Sequence, residues 1–113
     1  MISRRFWALV GLSILLLTPG RASWADARTD ARRYFNRGME AIQDGRTREG
    51  IADLLQAQEI RPHPNVLFNI ARAYASINEI DKAISYFERY LASNPPDRGP
   101  TDQVLAELKD RQR

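Results

Sequence analysis

The side chains that most often carry catalysis or bind transition metals are scarce in this chain of 113 residues. It has one histidine, His63, and no cysteine, so the ligands of a zinc or transition-metal site cannot be assembled. Serine hydrolysis needs a histidine beside the nucleophile, and Ser76, Ser85 and Ser93 have none near them in sequence. His63 lies between two prolines, and we expect it to have a structural role only.

The carboxylates and glycines are equally poor candidates for a reaction centre. Pairs such as Asp26 with Asp30 and Glu79 with Asp81 suit the positive end of a helix as well as they suit acid–base work. The six glycines are dispersed, and none belongs to a phosphate-binding loop that follows a strand. The sequence therefore predicts no enzyme, no metal site and no cofactor.

The clearest pattern in the chain is a duplication at a constant offset. The Phe-Asn pair at 35–36 recurs at 68–69, and Pro62 recurs as Pro95. A period of about 33 residues is typical of stacked helical hairpins. The search for function thus moves from a reaction centre to a binding surface.

Each copy of the duplicated unit has apolar residues at i, i+3, i+4, i+7 and i+8, which is helical spacing. In the first unit a stripe that begins at Ala31 predicts a helix that ends at Gly45, with Gly45 in the left-handed conformation. Thr47 is predicted to cap the next helix. The second unit repeats the design around a turn near Asn78. Nothing alternates with period two, so we expect an all-α fold.

Small residues recur at matching places in the two units. Gly38 and Gly50 in the first unit correspond to Ala71 and Ala83 in the second. A glycine inside a helix costs about 1 kcal/mol relative to alanine, so two of them indicate a steric need. We expect the paired helices to approach most closely at these four residues.

This arrangement resembles the tetratricopeptide repeat (TPR). In the second unit the family's motif places are taken by Leu67, Ile70, Ala71, Tyr74, Ala83, Phe87 and Pro95. In the first unit they are taken by Tyr34, Gly38, Ala41, Gly50, Leu54, Ala57 and Pro62. Arg37 departs from the family pattern where an apolar residue is usual, and Tyr90 departs where alanine is usual. The resemblance implies two antiparallel helical hairpins, with units at about 31–63 and 64–97 in a domain at 26–100.

The segment after the second unit predicts one more helix. A break rich in proline ends at Pro100, and Thr101 is expected to cap a helix over 101–113. Its apolar residues Val104, Leu105 and Leu108 would cover the exposed end of the last hairpin. The alternative is a truncated third repeat that pairs with another subunit.

The segment 1–25 resembles a secretory signal peptide. Arg4 and Arg5 form a charged start, 6–17 is an apolar run, and Ser23-Trp24-Ala25 is a cleavage site, with a second frame ending at Ala27. The run is shorter than the roughly 20 residues that span a bilayer. We expect export to the periplasm of a diderm bacterium, by the general or the twin-arginine route. Anchoring to the inner membrane by an uncleaved leader is the alternative.

The excess of positive charge comes from this leader. The formal net charge of +3 equals the contribution of Arg4, Arg5 and Arg21, and the rest of the chain has fourteen basic and fourteen acidic residues. A balanced surface of this kind does not indicate binding to nucleic acid.

The resemblance also places a candidate binding site, because the first helices of successive TPR hairpins line a concave groove. Carried over to this chain, the groove places are Arg32, Phe35, Asn36, Met39, Gln43, Asn65, Phe68, Asn69, Arg72 and Ser76. The asparagine amides could bond a peptide backbone while the phenylalanine rings supply apolar contact. The alternative is that both rings belong to the core and the asparagines are merely exposed.

One subtype of the family does not fit. Its members clamp the C-terminal carboxylate of chaperones with a lysine and an asparagine, and this chain has Phe35 and Met39 there. Asn69 matches a single clamp place, and Arg72 is the best remaining contact for an anion. We expect an adaptor or scaffold that binds a peptide or a partner protein. The alternative is self-association into a dimer or array, because about three repeats are usually needed for a continuous core.

Overall fold

The computed structural model describes residues 23–113, which form five helices and no strand. In chain order these are α1 (Trp24–Gln43), α2 (Thr47–Ile60), α3 (Pro64–Ser76), α4 (Ile80–Ala92) and α5 (Gly99–Gln112). Helix α1 packs along α2 and α3 packs along α4, while α2 contacts α3 and α4 contacts α5. Two antiparallel hairpins are thus followed by a single helix, which confirms the all-α prediction.

The two hairpin turns have the same backbone design. Gly45 has φ of 85° and Asn78 has φ of 61°, so each turn places one residue in the left-handed region. In the first turn the N–H of Arg46 donates to the carbonyl of Ala41 at 2.8 Å, and the equivalent bond from Glu79 to Tyr74 in the second turn is 3.0 Å long. These bonds satisfy carbonyls that the helix end would otherwise leave free. The duplication therefore extends to the helix caps.

Two predicted helix starts are wrong. Thr47 is the first residue of α2 and does not cap it; the preceding residue, Arg46, makes no side-chain cap bond. Helix α5 begins at Gly99, two residues before the predicted cap. Pro100 suits the first turn because its φ is already helical, and this leaves Thr101 inside the helix and buried.

Helix α1 begins before the apolar stripe that starts at Ala31. Its first residue is Trp24, and the side chain of Ser23 accepts a hydrogen bond from the N–H of Asp26 at 3.2 Å. The predicted leader lies outside the described residues except for its last three, which include this cap and the first residue of α1. Cleavage after Ala25 would remove the cap.

The predicted close approach of α1 and α2 is confirmed. A Cβ atom added to Gly38 would lie 2.8 Å from the carbonyl oxygen of Gly50, and one added to Gly50 would lie 2.5 Å from that of Gly38. In the second hairpin Ala71 and Ala83 have no exposed surface. The small residues are therefore needed because the paired helices touch at these places.

The buried apolar side chains form two clusters, each of which joins neighbouring units. The first includes Leu54 of α2 and Ile70 of α3, and so connects the two hairpins. The second contains Phe87 of α4 together with Leu105 and Leu108 of α5. Helix α5 therefore covers the end of the second hairpin with two of its three predicted apolar residues.

Arg37, which departs from the family pattern, has a partner on the facing helix. Its Nε and Nη2 atoms donate to the two carboxylate oxygens of Asp53 at 2.9 and 2.6 Å. The guanidinium also lies 4.9 Å from the ring centroid of Tyr34. A two-point ion pair thus joins α1 to α2 beside the apolar contact.

The helices lack the combination of length and apolar character that a membrane span requires. None of the five is long and apolar enough to cross a lipid bilayer, a finding that covers residues 23–113.

Candidate functional site

Nine of the ten predicted site residues line three cavities along α1 and α3, which together we call the groove; α2, α4, α5 and the link between the hairpins contribute the remaining walls. The basic cavity, about 360 Å³, is lined by Arg28, Ala31, Arg32, Phe35, Ala57, Arg61, His63, Asn65 and Val66. The middle cavity, about 350 Å³, is lined by Met39, Ile42, Gln43, Asn69, Arg72, Ala73 and Ser76. The apolar cavity, about 320 Å³, is lined by Phe68, Arg72, Ala75, Ser76, Phe87, Pro100, Thr101 and Val104. The last two share Arg72 and Ser76.

The basic cavity lies where the first half of α1 meets the start of α3. Arg32, Phe35 and Asn65 were predicted site residues, and Arg28 and Arg61 join them there. Phe35 is half-buried against the cluster that connects the hairpins. Its ring therefore belongs to the core on one side and lines the cavity on the other.

The single histidine organises the start of α3. The Nδ1 atom of His63 accepts a hydrogen bond from the N–H of Asn65 at 3.1 Å, while the backbone N–H of His63 donates to Oε1 of Gln58 at 3.1 Å. The bond to Asn65 satisfies a donor that the first turn of a helix leaves free. His63 thus fixes the link between the hairpins, a structural role of the kind expected from the sequence.

The middle cavity brings Met39 and Gln43 of α1 together with Asn69, Arg72 and Ser76 of α3. One amide hydrogen of Asn69 is already used, since its Nδ2 donates to the carbonyl of Asn65 at 2.8 Å. The hydroxyl of Ser76 likewise donates to a carbonyl of its own helix. Asn69 can still accept a hydrogen bond through Oδ1, and Gln43 and Arg72 are exposed.

Phe68 belongs to both the core and the apolar cavity. Its ring meets Phe87 edge-on with centroids 5.9 Å apart, and it packs against Tyr90 at 5.1 Å. The Arg72 guanidinium lies 5.8 Å from its centroid. Tyr90, where the family usually has alanine, therefore supports a ring that lines the groove.

Asn36 is the predicted site residue that the structure separates from the others. It is exposed on α1 but lines none of the three cavities. Its counterpart Asn69 faces the cavity between α3 and the preceding first helix, α1. Helix α1 has no such helix before it among the described residues, so the equivalent surface at Asn36 is open.

Sequence reasoning missed several residues of the groove. Arg28 lies four residues before Arg32 and so on the same side of α1, but the helix was predicted to begin later. Arg61 was missed because only the first helix of each hairpin was considered. Thr101 and Val104 were assigned to a covering helix, whereas α5 also forms one wall of the apolar cavity.

The groove offers no arrangement for metal chemistry. Within residues 23–113, no three His, Asp or Glu side chains come together in the way that a metal ion requires. The arrangement instead presents half-buried rings beside exposed amides and guanidinium groups, which suits contact with a polypeptide.

Comparison with protein families agrees with this geometry. The family model described as Tetratricopeptide repeat matches residues 31–64 and 64–97, which are the two hairpins. The chain belongs to the tetratricopeptide repeat family. TPR repeats generally mediate protein–protein interaction, and the TPR family is a non-enzymatic interaction module. A search of curated proteins finds no significant match to this TPR chain.

Proposed function

We propose that this TPR protein is an exported adaptor or scaffold that binds a segment of a partner protein along the groove. The observation that carries the proposal is that the cavities follow one another along α1 and α3: Phe35 and Asn65 of the basic cavity lie one turn before Met39 and Asn69 of the middle cavity, which shares Arg72 and Ser76 with the apolar cavity. An extended segment or a helix laid across them would contact side chains from three helices.

The chemistry of the groove supports a protein partner. Phe35, Met39 and Phe68 are half-buried, so their remaining apolar surface is held in place by the core and costs little entropy to bind. Gln43 and Arg72 are exposed beside them and can bond a polypeptide backbone or side chain. Rigid apolar surface with polar groups around it is the usual composition of a protein interface.

Export rests on the segment 1–25, with its charged start, apolar run and cleavage motif. An adaptor exported in this way would meet its partner in the periplasm, or at the inner membrane if the leader stays attached. N-terminal sequencing of the protein from the cell envelope tests this: a start at Asp26 or Arg28 supports export with cleavage, whereas recovery of Met1 would show an anchored form.

Crosslinking inside the cell tests partner binding. A photoreactive amino acid at Gln43 lies in the middle cavity, whereas one at Ser85, an exposed residue of α4, lines none of the three cavities. We expect a specific crosslinked protein from the first position and not from the second. The crosslinking yield at Gln43 should fall in the Met39→Ala variant, because the substitution reduces the apolar contact area. Circular dichroism should show an unchanged helix content in this variant. Equal crosslinking from both positions would contradict the proposal.

Self-association is the weaker candidate. A dimer built on the apolar face of α5 would need Leu105 and Leu108, and both are buried within the chain. The adaptor proposal is preferred because its groove residues are accessible in the monomer.

A further inference from the structure

The charged side chains are unevenly distributed between the groove and the remaining surface. Residues 23–113 have fourteen basic and fourteen acidic side chains. None of the residues that line the three cavities of the groove is Asp or Glu, yet four of them are arginines: Arg28, Arg32, Arg61 and Arg72. The groove is therefore basic in a protein whose described part is neutral.

These four arginines also differ in their partners. None of them forms an ion pair within the described part of the chain. Of the ten other basic residues there, seven form ion pairs, two lie over tyrosine rings, and Arg111 donates to Asn78. Ion pairs thus neutralise seven of the ten cations outside the groove, whereas none of the four groove arginines pairs with a carboxylate in the described part of the chain; Arg72 lies over the Phe68 ring.

Three of the available arginines converge on one place. Arg28 and Arg32 project from successive turns of α1, and Arg61 is the residue after α2; all three line the basic cavity. The start of α3 forms its far wall, and the first turn of α3 has no acidic residue. The partial positive charge of that helix end adds to the three guanidinium groups.

We infer that the partner segment bound along the groove is acidic, with carboxylates seated in the basic cavity between Arg28, Arg32 and Arg61. This inference rests on the adaptor function proposed above and names the chemistry of its partner. A guanidinium group pairs with a carboxylate through two parallel hydrogen bonds, which gives direction as well as attraction. Phe35, Ala31 and Ala57 supply the apolar lining beside the cations, and all three arginines are exposed, so a bound carboxylate can reach them.

An acidic polypeptide fits this cavity better than a nucleic acid or a lipid surface does. Both of those partners are polyanions that favour a broad field of positive charge. The described part of this protein is neutral as a whole, and its unpaired arginines lie in cavities between helices. A flexible segment with a few carboxylates can enter such a site.

The test measures binding of two fluorescein-labelled peptides by anisotropy. One is a short peptide rich in Glu with interspersed Leu and Gly, and the other has Gln in place of every Glu. We expect the purified wild-type protein to bind the Glu peptide at least about tenfold more tightly, and to lose that preference as salt is raised.

A matched pair of triple variants locates the site. Replacing Arg28, Arg32 and Arg61 with Gln should weaken binding of the Glu peptide by about tenfold or more. Replacing Arg33, Arg98 and Arg113 with Gln removes the same charge outside the groove and should change binding by less than about twofold. Circular dichroism of both variants checks that the fold is retained.

Several outcomes would overturn the inference. They are equal affinity of the wild type for both peptides, equal loss in the two triple variants, and no binding of the Glu peptide up to about 1 mM. Binding of a DNA duplex or of phosphatidylglycerol vesicles as tightly as the Glu peptide, with the same loss in the groove variant, would also overturn it.

The crosslinking experiment separates this inference from the proposed function. If Gln43 captures a partner whose yield is unchanged by the Arg28, Arg32 and Arg61 substitutions, the adaptor function stands and the acidic partner is wrong. If the Glu peptide binds in the groove but no protein is captured in the cell, the adaptor function is the part that fails.

Discussion

Gly38 and Gly50 set the distance between α1 and α2, because the backbone of each helix occupies the space that a side chain would need. We predict that Gly50→Ala lowers the free energy of unfolding by about 1–3 kcal/mol, although alanine is the better helix former by about 1 kcal/mol. The added methyl group would lie 2.5 Å from the Gly38 carbonyl oxygen, and neither backbone can yield without separating the helices. Urea unfolding followed by circular dichroism measures the change.

Gly99 provides the matched control for this substitution. It also lies in a helix, but a Cβ atom there would meet nothing within 4 Å apart from its two chain neighbours. Gly99→Ala should leave stability unchanged or raise it by up to about 1 kcal/mol. Equal effects of the two substitutions would contradict the steric explanation.

The ion pair between Arg37 and Asp53 makes stability depend on pH. Hydrogen bonds from Arg37 hold the pKa of the Asp53 carboxyl below its usual range. The folded state therefore binds this proton less readily than the unfolded state, whose Asp pKa is about 3.9. The contribution is present above about pH 4 and is lost as pH falls through the lower folded value.

We predict that Asp53→Asn removes this part of the acid destabilisation. Thermal unfolding between neutral pH and about pH 3 should show a smaller fall in Tm for the variant than for the wild type. Asp110→Asn is the control, since its ion pair with Arg113 is exposed near the end of α5. A wild-type pH profile in the Asp53 variant would show that the pair does not contribute.

Individual residues were the hardest part to predict from the sequence. The pattern showed that Arg37 departs from the family, but its partner lies 16 positions away on another helix. Gly38 and Gly50 were predictable because a glycine inside a helix is unfavourable unless packing requires it. Close helix packing requires an unusual residue type and can therefore be recognised in the sequence. A surface ion pair uses common residue types, so its partner cannot be recognised there.

Among the elements, α5 has two roles, and two residues one turn apart on the same side of the helix separate them. Leu108 is 3 % exposed and packs in the cluster with Phe87, whereas Val104 is 39 % exposed and lines the apolar cavity. We predict that Leu108→Ala costs about 2–4 kcal/mol of stability. Val104→Ala should cost less than about 1 kcal/mol and instead weaken partner binding. Urea unfolding and the crosslinking yield at Gln43 distinguish the two effects.

Two results would contradict these predictions for α5. If Val104→Ala destabilised the fold as much as Leu108→Ala, then Val104 would be a core residue. If neither substitution lowered stability, α5 would not cover the second hairpin in solution.

The helices themselves were largely predictable, and their starts were not. Apolar periodicity indicated the helices of both hairpins and a fifth helix after them. The first two turns of α1 were missed because Trp24 and Ala25 were assigned to the leader, and the segment 26–30 is polar apart from Ala27, so it gives little periodic signal. The starts at Thr47 and Thr101 were misplaced because a threonine near a helix start need not be its cap; at the second, Pro100 already supplies the helical backbone.

At the scale of the whole molecule, the burial of the apolar face of α5 predicts a monomer. Light scattering after size-exclusion chromatography should give the mass of a single chain at all concentrations. A dimer that persists on dilution would contradict this prediction. If Met39→Ala then converted the dimer to a monomer, the groove would be the dimer interface, which would oppose the adaptor function.

Most residues of the groove could be predicted from the sequence, but the residues at its edges could not. Nine of the ten predicted residues line it, because the family's periodic pattern determines which side of α1 and α3 faces the concave surface. Asn36 falls outside because a groove needs a helix on either side. The position of a residue within one repeat does not show whether a neighbouring helix is present. Arg61 and Val104 come from elements beyond the first helices, so only the assembled structure brings them to the site.

The contact between Gly38 and Gly50 also determines how the groove can change its width. Since α1 and α2 touch backbone to backbone, we expect the first hairpin to move as one body, and the full burial of Ala71 and Ala83 favours the same behaviour in the second hairpin. The remaining joint is the link 61–63, where His63 is bonded on both sides. The buried cluster of Leu54 and Ile70 also holds the two hairpins together, so we expect the groove to change its width little when a ligand binds. Amide hydrogen exchange should then slow on binding at the start of α3 before it changes inside either hairpin.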